Sequence, residues 1–357
     1  MKKKVCLIAQ FPPPIHGLSK AVDTLYKSEQ FEEFDFEKVD IKDNKKIIRI
    51  LLAILRSKAD LFYFTISQSR GGNLRDLIIL KLLEKKKVLI HLHGGYYRQL
   101  VDNELPRWQR KANYKAISKL AGVIVLGPSL KYIFEGMLPE ELIFTVPNCV
   151  DDELLMSDEA IEQKLAALSQ CGIKHVLYLS NFLKSKGYRD VLKMAQIEKQ
   201  RFDQTGQRLF HFDFAGLFFD DVEKDFFFQY VKENQLGNVI TFHGTADSEK
   251  KKALLRESKF FVLLSDNEGQ PISILEAMGS GLVVVTTEVG GIPDVVKDGK
   301  NGMVIDHKDP QRAQKAYRYI LNFNDDEMGL RNCKEVREKY TEAAHLKNMA
   351  AVFNGRL

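Results

Sequence analysis

Short apolar runs with almost no polar interruption recur along the first half of the chain, at residues 5–9, 61–65, 88–92 and 123–126. Runs this short and continuous predict parallel strands buried on both faces. Between them, residues 19–27, 74–83 and 107–120 carry helical spacing. The alternation predicts a doubly wound α/β domain with its ligand crevice at the carboxyl ends of the strands. A second series follows at 176–179, 210–215, 239–242, 260–264 and 283–286, and beyond Pro310 the pattern turns mainly helical. The expected architecture is therefore two similar Rossmann-like α/β domains, residues 1–165 and 166–339, facing across a cleft. The turn VPNCVDDELL around Pro147 ends the first and leads into a polar linker helix.

Bulk properties narrow the class. A length of 357 residues fits two domains, and 45% hydrophobic with 28% charged residues is ordinary for a globular chain. The amino terminus has too few apolar residues before Gln10 for a signal-peptide core, and no apolar run reaches the length of a membrane span. Cys6, Cys149, Cys171 and Cys333 are scattered without metal-site spacing, as expected of reduced thiols in a cytoplasmic protein. Charge divides the chain. Residues 1–150 hold 25 Lys and Arg against 16 Asp and Glu, whereas the remainder holds 28 against 32. The basic first half predicts an anionic partner there. No nucleic-acid motif accompanies the charge, so an anionic membrane surface or a lipid-phosphate acceptor fits better than nucleic acid. Residues 44–60 read by default as a core helix with one solvated face. The alternative is a basic amphipathic surface that meets the membrane, with the protein peripheral on its inner face.

The most informative segment is SDNEGQPISILEAMGSGLVVVTTEVGGIPDVV. It reads as the end of an apolar strand, a polar loop, and a helix opening near Pro271, since proline suits the first helical turn. The unpaired N–H groups and dipole of such a helix start form an anion site. Glu268 lies in the loop before it and Glu276 lies inside the helix. Amides for phosphates beside carboxylates for sugar hydroxyls fit a nucleotide-sugar ligand.

The segment resembles the signature of the retaining glycosyltransferases of family four, which have the two-domain GT-B fold. Their pattern is a glutamate, seven residues, a second glutamate, Ala-Met, and a later Gly-Gly-x-Pro-Glu/Asp turn. Glu268, Glu276, Ala277, Met278, Gly290, Gly291, Pro293 and Asp294 occupy those positions. The resemblance implies that Glu276 accepts hydrogen bonds from the ribose, that Glu268 holds donor-sugar hydroxyls without acting as a covalent nucleophile, and that Asp294 is structural or caps a helix. It implies a donor site that includes Gly269, Gln270, Pro271, Ile272 and Ser273. It also implies that the last helix, within residues 340–357, returns to pack on the first domain.

Other segments extend the pattern. The loop PPPIHGLSKAV resembles the family's glycine loop, reduced here to Gly17-Leu18, with Ser19 as a plausible N-cap; an ordinary strand-to-helix turn is the alternative. In VLIHLHGGYYR, His91 and His93 share one strand face. A third metal ligand is not evident, and a strand-end histidine satisfied by hydrogen bonds is the simpler reading. By resemblance His93 stands near the donor sugar. Lys186-Gly187 matches a family pair that contacts the diphosphate, but Asn181 occupies the usual arginine position, with Lys184 and Arg189 as possible substitutes. With no Asp-x-Asp pair at a strand end, the chemistry is expected to be metal-independent, and no cofactor beyond the nucleotide-sugar co-substrate is implied. The expected function is a retaining glycosyltransferase, with His93, Glu268 and Lys186 as catalytic residues, moving sugar from a UDP- or GDP-linked donor to a glycan or lipid-linked acceptor in bacterial surface polysaccharide synthesis. The alternatives are a nucleotide-sugar epimerase of the same fold and a non-catalytic partner subunit. A dinucleotide-dependent oxidoreductase is disfavoured because no GxGxxG follows a strand.

Overall fold

A computed structural model describes residues 2–13, 17–28, 31 and 33–357, without the side chains of 17–20. The chain divides into a first unit, Met1–Cys149 with Glu342–Leu357, and a second, Val150–Thr341. In the first unit the elements run β1 (Lys3–Ala9), α1 (Gly17–Lys27), β2 (Phe34–Asp40), α2 (Ile47–Arg56), β3 (Leu61–Thr65), α3 (Arg70–Leu82), β4 (Val88–His91), α4 (Tyr97–Gln99), α5 (Arg107–Ile117), β5 (Gly122–Val125) and β6 (Ile143–Thr145). The second unit holds α6 (Asp158–Gln170), β7 (Lys174–Leu179), α7 (Tyr188–Thr205), β8 (Phe210–Ala215), α8 (Asp221–Glu233), β9 (Ile240–Gly244), α9 (Ser248–Glu257), β10 (Ser258–Leu263), α10 (Ile272–Gly279), β11 (Val283–Thr287), α11 (Ile292–Val295), β12 (Gly302–Ile305), α12 (Arg312–Leu321) and α13 (Met328–Lys339). The last helix, α14 (Glu342–Asn354), belongs to the first unit.

Each unit is built on a six-stranded parallel sheet, in the order β2-β1-β3-β4-β5-β6 and β12-β11-β10-β7-β8-β9. The central strands are buried along their whole length, so both faces must be apolar. The apolar runs mark these strands. The strands they do not mark, β2, β6 and β12, all lie at sheet edges, where partial exposure admits the charges of FDFEKVD and three- or four-residue lengths. In the second sheet the winding runs one way from β7 through β9 and the other way from β10 through β12. The carboxyl ends of β7 and β10 therefore flank the reversal, where the helices diverge and leave a crevice.

In the first unit α2, α3 and α5 cover one face of the sheet through Ile50, Ile54, Ile79, Leu80 and Ile117. The other face packs α1 and α14, with Leu346, Met349 and Phe353 against Val5, Leu7 and Tyr63. Phe353 lies 5.7 Å from Phe34 and 5.9 Å from Tyr63 between ring centroids, which ties the C-terminal helix to β2 and β3. The division between units falls at Cys149 and Val150 rather than at 165 and 166. Residues 150–165 join the second unit because Val150, Leu154 and Ile161 are buried there, and Lys164 Nζ donates to the carbonyls of Leu255 at 2.7 Å and Ser280 at 2.8 Å.

Candidate functional site

Three loops converge at the reversal of the second sheet, one from each of the neighbouring strands β7, β10 and β11. The β7 loop passes Asn181, forms a tight turn at Lys184–Lys186 and ends on Gly187 with φ +72°. A Cβ at Gly187 would lie 1.9 Å from the carbonyl oxygen of Leu264, so only glycine lets this loop press against the end of β10. The amide of Asp266 then donates to Ser185 O at 2.8 Å, joining the two loops. This closeness brings Lys186 Nζ to 2.7 Å from Glu268 Oε2. The other carboxylate oxygen accepts from Ser265 Oγ at 2.7 Å. Glu268 is 7% exposed, so both oxygens are held by groups that replace water.

The β11 loop locks the same carboxylate loop from the other side. Gly290 has φ +55°, and a Cβ there would stand 1.9 Å from the carbonyl oxygen of Glu268. Gly291 N donates to Gly269 O at 2.5 Å, and Thr287 Oγ1 to Ser265 O at 2.5 Å. Gln270 is buried, and Pro271, with φ −65°, occupies the cap position just before α10. Ile272 and Ser273 supply the first amides of that helix, which have no preceding turn to bond to. Glu276, 5% exposed, sits one turn further and pairs with Lys251 Nζ from α9 at 2.8 Å. The site thus presents an ammonium group, a helix start and two buried carboxylates at the carboxyl ends of the central strands, a combination suited to phosphate and hydroxyl groups together.

Of the sequence-predicted residues in this unit, Lys186, Glu268, Gly269, Gln270, Pro271, Ile272, Ser273 and Glu276 lie on the β10 loop, α10 and the turn facing them. Asn181 and Lys184 are exposed on the β7 loop. Arg189 is not available as a phosphate ligand. It is bound to Glu223, with Nη2–Oε1 at 2.8 Å, and lies 3.8 Å over the Phe226 ring. Asp294 lies inside α11, and Gly291 holds its cap position. Sequence reasoning missed Lys251, Ser265 and Arg312. Arg312 bridges Asp190 and Asp266 at 2.6 Å each, bracing the β10 loop from α12. Ser265 opens the quoted segment, three residues before Glu268; Lys251 and Arg312 carry no local signal.

In the first unit, α1 begins at Gly17, which places Ser19 inside the helix. The loop residues 14–16 before it, and the side chains of 17–20, lie outside the described residues, and so does the donor-facing role ascribed to Gly17. His91 ends β4, buried, with Nδ1 2.7 Å from the Tyr63 hydroxyl. Burial, then the neighbouring His93 and His345, hold it well below the ordinary imidazole range, so it is neutral. His93 follows the strand, half-buried, its ring 3.9 Å from that of His91. The next loop is tied down by Tyr96 N donating to Gln68 Oε1 at 2.6 Å. Among the described residues no group of three or more His, Cys, Asp or Glu is gathered for a metal ion.

Residues 166–345, just over half of the chain, match the family described as "Glycosyl transferases group 1". The chain belongs to the group 1 glycosyl transferases. An uncharacterized glycosyltransferase of Methanocaldococcus jannaschii is 25% identical over 296 residues, 79% of this chain and 72% of the relative. The GDP-mannose:cellobiosyl-diphosphopolyprenol alpha-mannosyltransferase of Xanthomonas campestris is 21% identical over 245 residues, 68% and 60% of the two chains. Across the first curated relatives the matched part spans between about a fifth and seven tenths of their length. Among solved structures, Anabaena HepE in complex with UDP and glucose superposes with a TM-score of 0.72 at 14% identity, covering 99% of this chain and 100% of that one. At that identity the likeness bears on the fold alone, and it fits two Rossmann-like units. No helix among the described residues of this group 1 glycosyl transferase is long and apolar enough to cross a membrane.

Proposed function

We propose that this group 1 glycosyl transferase moves a sugar, with retention and without a metal, from a UDP- or GDP-linked donor to a glycan or lipid-linked acceptor in bacterial surface polysaccharide synthesis. The observation that carries the reading is the Lys186–Glu268 pair, 2.7 Å apart at the reversal of the second sheet beside the start of α10. The diphosphate takes Lys186 and the amides of Ile272 and Ser273; Glu276 accepts from the ribose hydroxyls and Glu268 from hydroxyls of the sugar. As the bond from the anomeric carbon to the diphosphate breaks and one to the acceptor oxygen forms on the same face, the acceptor hydroxyl's proton passes to the departing diphosphate oxygen. The fixed ammonium and amides stabilise the charge that gathers on that leaving group. Glu268 acts by hydrogen bonding and needs no covalent bond to the sugar. From the first unit the reading takes His93 as a hydrogen-bonding partner of the sugar. It takes the basic surface as the side that meets an anionic membrane, through α2, which buries Ile50 and Ile54 and exposes Ile48, Leu52 and Leu55 among Lys45, Arg49 and Arg56.

The test is ligand-dependent thermal stabilisation with UDP, GDP and their sugars, together with NAD, followed by transfer assays on variants. A ligand at a hundred times its Kd adds about 2.7 kcal/mol. Glu276→Ala should abolish the nucleotide-dependent shift, Glu268→Ala should keep it and lose transfer, and Lys186→Ala should weaken diphosphates more than monophosphates. Equal, negligible effects of the two glutamate substitutions would remove this site from the reaction. A sugar product with an inverted ring stereocentre, formed from the donor with no acceptor present, would replace transfer by epimerisation.

A further inference from the structure

We propose that the groove between α3 and α5 seats the hydrocarbon chain of an anionic phospholipid. This deepens the reading that the first unit meets an anionic membrane and is independent of the transfer chemistry. The groove encloses about 450 Å³, within the roughly 300–1,000 Å³ common for small-ligand sites. Leu74 and Ile78 of α3 form one wall, and Trp108, Ala112 and Ala116 of α5 the other, over a floor of Leu83, Val88 and Leu120. Ala112 and Ala116 are one helical turn apart, so α5 turns a face without side-chain bulk toward α3.

On the buried side of the helix pair, beside the groove walls, an amide cluster joins α3 to α5: Asn73 Nδ2 donates to Asn113 Oδ1 at 2.8 Å and Gln109 Nε2 to Asn73 Oδ1 at 2.8 Å. These bonds fix the spacing of the two helices that wall the slot.

The rim identifies the occupant. Lys81, Lys86, Lys115 and Lys119 surround the apolar slot. Glu84, the single acid among them, pairs with both Lys81 and Lys119, so the rim keeps a net positive charge, with Lys86 and Lys115 outside that ion cluster. A hydrocarbon chain fits the walls and a phosphate headgroup fits the cations. Trp108, 60% exposed at the mouth, is the aromatic type that sits at a headgroup boundary. In the same helical layer α2 contacts α3 and shows the same pairing of exposed aliphatic and basic side chains. One face of the unit thus carries two apolar features ringed by positive charge, as a bilayer surface requires.

Trp108 is the only tryptophan in the chain, so its emission reports on the groove directly. Full-length protein is mixed with vesicles of phosphatidylcholine with or without phosphatidylglycerol, using acyl chains brominated along their length. The expected result is a blue shift and quenching with the anionic vesicles only. Ala112→Leu with Ala116→Leu fills the slot and should abolish the quenching while co-sedimentation persists. Lys86→Glu with Lys115→Glu should lower partitioning by about tenfold or more, each rim charge counting as in other juxtamembrane basic clusters. Co-sedimentation with Trp108 unshifted and unquenched would overturn the groove proposal and leave the α2 contact standing. No co-sedimentation would overturn both. A blue shift that grows with protein concentration in the absence of vesicles would make a second copy of this chain the occupant and overturn the lipid assignment.

Discussion

Lys251 reaches from α9 to place its ammonium 2.8 Å from Oε1 of Glu276, a carboxylate that is otherwise buried on α10. The pair has two consequences. It neutralises a charge that burial would penalise, and it fixes the direction in which the remaining carboxylate oxygen faces. Lys251→Met should cost about 1–3 kcal/mol, the usual penalty for leaving a buried polar group without its partner. Combining it with Glu276→Gln should restore more than half of that loss, because the two changes act on one interaction. Urea unfolding of the four proteins in the cycle measures this; strictly additive losses would mean that the pair carries no coupling.

That relationship shows where the sequence is silent. Lys251 stands in a run of lysines, where nothing local separates a buried partner from solvated neighbours. Its role follows from α9 lying near α10, which depends on the winding order of the sheet. Arg189 fails in the opposite way: its position near Lys186 in sequence suggested a phosphate contact, but its helix turns it toward Glu223 and Phe226. The central strands were readable because burial on both faces restricts residue type tightly, whereas Glu268, Glu276, Lys186 and Gly290 stand out through the resemblance of their segments to a family pattern. Edge strands such as β2 accept charges and so lose the pattern. The expected boundary falls late in α6 because that stretch reads as a polar linker helix, and its attachment to the second unit shows only in the burial of Ile161 and the bonds of Lys164.

Gly290→Ala should damage the site beyond its backbone strain. Both Gly290 and Gly299 have positive φ, +55° and +71°, and an alanine at either pays roughly 1–2 kcal/mol for the left-handed conformation. Only at Gly290 would the new Cβ strike backbone, 1.9 Å from the carbonyl of Glu268; at Gly299 nothing lies within 4 Å. We expect Gly299→Ala to lower stability with nucleotide-sugar affinity unchanged. Gly290→Ala should lower stability and raise the Kd about tenfold or more by displacing the Glu268 loop, tenfold being 1.4 kcal/mol. Calorimetric titration of both variants with the donor decides between them, and equal affinities would detach the β11 turn from the site.

His93 and His91 should separate by assay. His91 is buried against Tyr63, so His91→Ala removes packing and a hydrogen bond and should reduce stability first. His93 is half-buried beyond the strand end, so His93→Ala should leave the melting temperature nearly unchanged. If His93 hydrogen-bonds the sugar as the charge develops, its removal should lower kcat about tenfold or more while nucleotide Kd stays within about twofold. An unchanged kcat would withdraw it from the reaction.

Lys164 makes the stability of the second unit rise with pH across the neutral to alkaline range. Its ammonium is buried between α6, the end of α9 and the turn after α10, bonded to two carbonyls. Burial pushes its pKa from 10.5 down to about 7, partly opposed by Cys333. Above pH 10.5 the lysine is neutral in both folded and unfolded chains and adds no pH dependence. As the pH falls from 10.5 toward 7, the unfolded chain takes up a proton that the folded one refuses, so stability declines across that window and levels off below it. The slope for one proton is at most about 1.4 kcal/mol per pH unit. Lys164→Met keeps the stem buried and removes the titration. Groups such as Cys6, whose thiol burial also pushes up to about 12, contribute equally to both proteins and cancel in the difference. Unfolding free energies of the wild type and Lys164→Met, measured in urea between pH 7 and 10, should converge or cross as the pH rises, the wild type gaining relative to the variant throughout. A difference independent of pH would mean that Lys164 keeps its proton in the fold.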